Sequence, residues 1–221
     1  LSHAIQDQQS ISIDTHLSLS PEQVRFDHSG LVLKIDPHVN VWKPVIYARP
    51  DTDFQILKDR SSQMQMYLSK LDQDSERFLL EKEKLISILS SSDQDTLIQF
   101  LIDMLGKGTG LTPLGDDFIC GLLLAAHTWN GILIPASQVI KIEQDILELA
   151  WKRTTTLSAN LITSAAQGSA DERIIHCLNW LKDGHGDIAK IIKELRSYGS
   201  SSGIETLSGI LSFIRSSLET A

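Results

Sequence analysis

The stretch PLGDDFICGLLLAAHTW, residues 113–129, decides the fold. From Phe118 to Ala126 it carries no charge, yet it is far short of the roughly 20 apolar residues that span a bilayer, so it reads as a helix buried in a protein core. Helical patterns continue beyond it, over about 137–152, 155–167, 171–182, 186–197 and 203–218. Before it, Leu97, Ile98, Leu101, Ile102 and Leu105 share one face of a helix. Phe78, Leu79, Leu85, Ile86 and Leu89 form an earlier one, as do Met64, Tyr67, Leu68 and Leu71 from Ser61 onward. The run Glu81-Lys82-Glu83-Lys84 reads as a solvated face, and Ser90-Ser91-Ser92-Asp93 as a break offering caps.

Ahead of Pro50 the period shortens to that of strands. Ile11 and Ile13 alternate with polar neighbours, and a hairpin is predicted about His28-Ser29-Gly30, between Val24 and Phe26 on one side and Leu31, Leu33 and Ile35 on the other. Val39, Val41 and Val45 to Tyr47 suggest another strand, held to an edge or bulge by Pro44. The expected architecture is α+β: a β-rich N-terminal portion, residues 1–50, followed by a mainly helical body, residues 51–221.

Composition narrows the function. The chain has 221 residues, 42% apolar and 22% charged, which places it among folded globular proteins. Its net charge of −8, without clustered Lys or Arg, excludes a sequence-blind grip on nucleic acid. No membrane partner is expected either. Cys120 and Cys177 lie inside apolar helical patterns, as expected of reduced, buried thiols in a cytoplasmic protein. No secretion leader is visible at Leu1, and a longer portion upstream is left open.

Three polar segments carry the candidate chemistry. In Gly106-Lys107-Gly108-Thr109-Gly110-Leu111-Thr112, alternating glycines free the backbone, and Thr112 with Pro113 reads as a helix start, the Thr112 hydroxyl capping it and the proline in its first turn, whose N–H groups would attract an anion. The segment continues into Asp116-Asp117 where a Walker loop has Lys-Ser/Thr, and it follows a helix where a dinucleotide fingerprint follows a strand, so no nucleotide cofactor is implied. Adjacent carboxylates point about 100° apart on a helix. One of Asp116 and Asp117 should therefore face the glycine loop, to accept a ligand amide or to hold a divalent ion such as Mg, while the other complements the helix dipole.

The second segment, Arg153-Thr154-Thr155-Thr156-Leu157-Ser158-Ala159-Asn160, holds more hydroxyls than one cap needs. The third runs from Tyr198 through Gly199-Ser200-Ser201-Ser202-Gly203 to Gly209 and would pass for a linker alone. Ser202 and Glu205 have the spacing of a capping box, and Ile204, Leu207, Leu211 and Ile214 make an apolar face, so an ordered helix start is expected. If the three segments converge they make one polar pocket. His127 and His176 are expected in core positions and His185 in a loop, and no serine sits in a recognisable triad.

In GKGTGLTPLGDDFICG (106–121), TTTLSANLITSAAQG (154–168) and YGSSSGIETLSGIL (198–211) the chain resembles a bacterial domain-of-unknown-function family, sometimes labelled carboxylases, that includes the AllH-type subunit of oxamate carbamoyltransferase. The resemblance implies conversion of oxalurate and phosphate to oxamate and carbamoyl phosphate, in allantoin nitrogen catabolism, by a complex with other subunits. The expected partners are thus a small anionic substrate, phosphate and companion chains. In this scheme Lys107 and Arg153 clamp anions, and Gly108, Thr109, Gly110, Thr112 and Gly115 present donors. Thr154, Thr155, Thr156, Ser158, Asn160, Ser200, Ser201, Ser202, Gly203 and Glu205 bind the substrate, and Asp116 and Asp117 are catalytic. Two alternatives stay open: a non-catalytic assembly subunit or scaffold whose glycines serve close helix packing, and a metal-dependent amide or ureido hydrolase, or carboxylase-like enzyme, built on the two aspartates.

Overall fold

The computed structural model describes residues 17–20, 22–26, 30–34, 53–71, 87–88, 94–133 and 135–219. Two compact units divide at Lys43 and Pro44. In the first, β1 (Leu17–Ser20), β2 (Gln23–Phe26) and β3 (Val32–Lys34) form a small antiparallel sheet in that order. Leu17 pairs with Phe26, and Val24 with Leu33. The β2–β3 pair is the hairpin predicted from alternation, with Gly30 at φ 68° returning its N–H to the Phe26 carbonyl at 3.0 Å. Strand β1 was not anticipated, although Leu17 and Leu19 alternate with Ser18 and Ser20. The strands expected at Ile11–Ile13 and within 39–47 lie outside the described residues.

Eight helices are described in the second unit: α1 (Phe54–Leu71), α2 (Gln94–Met104), α3 (Leu114–Thr128), α4 (Ala136–Arg153), α5 (Thr156–Ala166), α6 (Glu172–Asp183), α7 (Ile188–Arg196) and α8 (Ser202–Glu219). The chain is thus mostly helical with a small antiparallel sheet near its N-terminus. Helix α1 starts well before Ser61, because Asp53 caps it, accepting from the N–H groups of Gln55 at 2.8 Å and Ile56 at 3.2 Å. Of the helix expected around 78–89, Ser87 and Ile88 are described; both are helical, Ser87 exposed and Ile88 buried. No described helix is long and apolar enough to cross a membrane.

Helix α3 is the centre, buried without interruption from Gly115 to Ala126. It packs chiefly on α8 and secondly on α5. The α3–α8 crossing is a backbone contact: a Cβ on Gly121 would lie 1.9 Å from the Thr206 carbonyl oxygen, and one on Gly209 would lie 2.1 Å from that of Phe118. Leu207, Ile210, Phe213 and Ile214 of α8 are fully buried there. Both cysteines are buried and free, the Cys177 Sγ 3.5 Å from Met64 Sδ. His127 is partly buried, with Nδ1 3.0 Å from the Ala166 carbonyl. His176 departs from the expected core position: its side chain is half exposed between Glu172 and Glu194, because its helix presents that face to solvent.

Candidate functional site

The three polar segments meet at the start of α3. Pro113 is the N-cap residue, and its carbonyl accepts from the N–H groups of Asp116 at 2.9 Å and Asp117 at 3.2 Å. Thr112 therefore does not cap the helix, contrary to expectation. It lies one residue outside, with its hydroxyl 3.1 Å from that of Ser202. Asp116 turns toward the glycine loop, as one of the pair was expected to do. Its Oδ1 accepts from the Gly106 N–H at 2.7 Å, and its Oδ2 accepts a short hydrogen bond from the Thr154 hydroxyl.

The anion in the glycine loop is thus the chain's own carboxylate. The Thr155 hydroxyl caps α5 by accepting from the Ser158 N–H at 3.1 Å, and donates to the Leu111 carbonyl at 2.6 Å. The Ser158 hydroxyl reaches the same carbonyl at 3.4 Å. Asp116 is 1% exposed, so its donors replace water. Thr154→Val, nearly the same size, should lower the free energy of unfolding in denaturant by about 1–3 kcal/mol, the cost of a buried acceptor losing its donor. Unchanged stability would show that the Thr154 contact does not hold Asp116.

Asp117 faces the other way. It is 3% exposed, and it lines a cavity of about 190 Å³ with Cys120 and Leu124 of α3, Leu161, Ser164 and Ala165 of α5, and Ser169, Ala170, Asp171, Ile174, Tyr198 and Thr206. Its Oδ2 is buried with no hydrogen-bond partner among the described residues. Burial, together with the negative charges of Asp116 and Glu205, pushes this carboxyl up to about 7, against the opposing effect of a hydrogen bond from Ser202. Burial, and then the charges of Asp117 and Asp116, push the Cys120 thiol far above its ordinary range, so it remains protonated and is no nucleophile.

At the cavity rim Arg173 holds Asp171 through Nε at 2.7 Å and Nη2 at 3.0 Å. It also donates to the Ser197 carbonyl at 3.1 Å and lies 4.8 Å above the Tyr198 ring. Hydrogen bonding from Arg173 lowers the Asp171 carboxyl, and burial raises the Tyr198 phenol. Sequence reasoning missed Ser164, Ser169, Asp171, Arg173 and Tyr198 as site residues. Asp171 and Tyr198 stood at an expected helix start and at the head of the third segment, which was a usable signal.

Other expected contacts are not brought to this cavity. Gly115 and Gly203 are packing glycines: a Cβ on either would stand 2.1 Å from a backbone carbonyl oxygen, of Met104 and Leu195 respectively. Gly108 is at φ 120° with the Leu114 N–H against its backbone, and it is exposed, as are Lys107, Thr109 and Gly110. Arg153 is exposed, with Nη1 3.4 Å from the Ile102 carbonyl. Thr156 and Asn160 are exposed and bond to each other, the Asn160 amide donating to the Thr156 carbonyl at 2.8 Å. Ser200, Ser201 and Glu205 line a second cavity, of about 250 Å³, with Arg196 and Leu68. Helix α8 begins one residue earlier than a capping box on Ser202 requires. The Ser201 carbonyl receives the N–H groups of Ile204 at 2.9 Å and Glu205 at 3.0 Å, which frees the Ser202 hydroxyl for Thr112.

The two aspartates do not converge on one point, since both oxygens of Asp116 are taken. Among the described residues no group of three or more His, Cys, Asp or Glu could hold a metal ion. The expectation of Mg therefore finds no matching ligand set there.

Residues 104–214 match the model of the family described as oxamate carbamoyltransferase subunit AllH. The match runs from the last residue of α2 into α8 and takes in all three segments and every residue lining the Asp117 cavity. No solved structure matches the chain.

Proposed function

The chain belongs to the AllH family, that of the oxamate carbamoyltransferase subunit AllH, and from that premise we propose that its Asp117 cavity receives the carbamoyl end of a small ureido substrate such as oxalurate. Other subunits of the enzyme are its partners. One observation carries the reading: a carboxyl group 3% exposed, with one oxygen unpartnered among the described residues, lining a cavity. A buried acceptor without a donor is costly, and a carbamoyl NH₂ supplies the missing donor.

The chemistry follows from the carboxyl's affinity for protons. In the transfer, a phosphate oxygen attacks the carbamoyl carbon and the carbon–nitrogen bond to the oxamate portion breaks. Phosphate gives up one proton and the departing nitrogen gains one, so oxamate and carbamoyl phosphate leave with charge conserved. A group titrating near 7 is held in both forms at neutral pH. Ionised, Asp117 accepts from the carbamoyl N–H; protonated, it delivers a proton to the departing nitrogen. Leu124, Leu161, Ala165 and Ile174 keep that side of the cavity apolar and restrict water that would hydrolyse the product. The hydroxyls of Ser164 and Thr206 offer further hydrogen bonds.

The scaffold alternative draws on the packing glycines at 115, 121, 203 and 209, and these account for the helix contacts. They leave Asp117 unexplained. Calorimetric titration of the purified chain with N-acetylurea, a neutral ureido compound, tests the choice. Binding that weakens at least tenfold in Asp117→Ala is expected, about 1.4 kcal/mol. Equal affinity in the two proteins would remove Asp117 from the site.

A further inference from the structure

The charge of the Asp117 cavity is wrong for holding two anions unaided. Its lining contains the carboxylates of Asp117 and Asp171 and no Lys, Arg or His among the described residues. The negative charges of Asp116 and Glu205 act on it as well. The cation at its rim, Arg173, is engaged by Asp171 at 2.7 and 3.0 Å and by the Ser197 carbonyl at 3.1 Å. Phosphate and a substrate carboxylate need positive charge nearby to remain in a site of low dielectric.

The helix that lines one side of the cavity, and the loop bonded to its start, also carry exposed apolar side chains. Leu161 lines the cavity, and Leu157, four residues earlier on the same stripe of α5, is 46% exposed. Leu111 is 74% exposed, and its carbonyl is fixed to the start of α5 by the Thr155 hydroxyl at 2.6 Å. An apolar rim beside an acidic mouth is complementary to a protein surface with apolar contacts and a basic side chain among them.

We propose that Leu111 and Leu157 form the docking rim for a companion subunit of the enzyme, which brings an Arg or Lys to the mouth of the acidic cavity to hold the anionic co-substrate. The proposal rests on the Asp117 cavity being the carbamoyl site. The active centre is then shared, with the ureido end held by this chain and the counter-charge supplied by its partner.

The test reconstitutes the complex from the full chain and its companion subunits, using wild type, Leu111→Asp and Leu157→Asp. Sedimentation should show assembly weakened at least tenfold in each variant, with carbamoyl phosphate formation recovering at higher companion concentration. The circular dichroism melting curves should match wild type, since both side chains are exposed. N-acetylurea titration of the lone variants should also be unchanged. If the lone wild-type chain does not bind N-acetylurea, the carbamoyl-site reading falls, and sedimentation still judges the docking rim. Three outcomes would overturn the proposal: normal assembly of both variants, phosphate binding by the lone chain as tight as by the complex, or self-association of the chain through this rim.

Discussion

Asp117→Asn is expected to slow carbamoyl phosphate formation by the assembled enzyme by a factor on the order of 100 or more, the usual loss when a positioned proton donor is removed. The asparagine keeps size and some hydrogen bonding but cannot exchange a proton. The wild-type pH–rate profile should bend near 7, where this carboxyl titrates, and the bend should vanish in the variant.

Stability moves the opposite way. Folding raises this carboxyl from its ordinary 3.8 to about 7, so between those values the folded chain holds a proton that the unfolded chain has lost. Stability therefore falls as pH rises through that window, by up to about 4 kcal/mol at roughly 1.4 kcal/mol per pKa unit, and the fall ends above it. Asp117→Asn should flatten this slope and be the more stable protein at pH 8. Denaturant unfolding at pH 5 and pH 8 measures it. Normal turnover in the variant would remove Asp117 from the chemistry, and an unchanged slope would show that the carboxyl titrates in its ordinary range.

Gly121→Ala and Gly209→Ala should each destabilise the helical unit by about 3 kcal/mol or more. Intrinsic propensity favours alanine in a helix by only about 1 kcal/mol. Against that gain, the new Cβ meets a backbone oxygen at 1.9 Å on one helix and 2.1 Å on the other, where no side chain can swing aside. The α3–α8 contact must open, and it is the most extensive pairing among the described elements. Gly110→Ala is the contrast: nothing lies within 4 Å, and the cost is the roughly 1–2 kcal/mol of a positive-φ backbone at 98°. Chemical denaturation of the three variants separates the cases, and near-equal losses would show that the interhelical contact is not what those glycines serve.

Local pattern foretold the helices because their determinants lie within a few residues. Thr155, Asp171 and Asp187 each accept from an N–H two or three positions on, and the apolar spacing between them names the buried face. The same reasoning failed at Ser61, where Asp53 starts the helix earlier, and at Ser202, where a spacing of three residues suggested a cap that the Ser201 carbonyl provides one position before. Candidate site residues were legible as a set of polar segments, and the aspartates stood out in them. Their separate fates did not, nor did the part of Arg173 and Tyr198, which depends on a contact 4.8 Å wide between two helices' ends.

By itself the sequence determined a buried α3, the helices around it and three polar bends, since period, capping residues and turn glycines act over one or two turns. Only the tertiary structure decided that Asp116 is spent on Gly106 and Thr154 while Asp117 faces a cavity, and that several glycines serve helix contact. Those outcomes turn on partners 38 residues away at Thr154, and on Thr112 and Ser202 meeting across 90 residues, distances over which no local preference reaches.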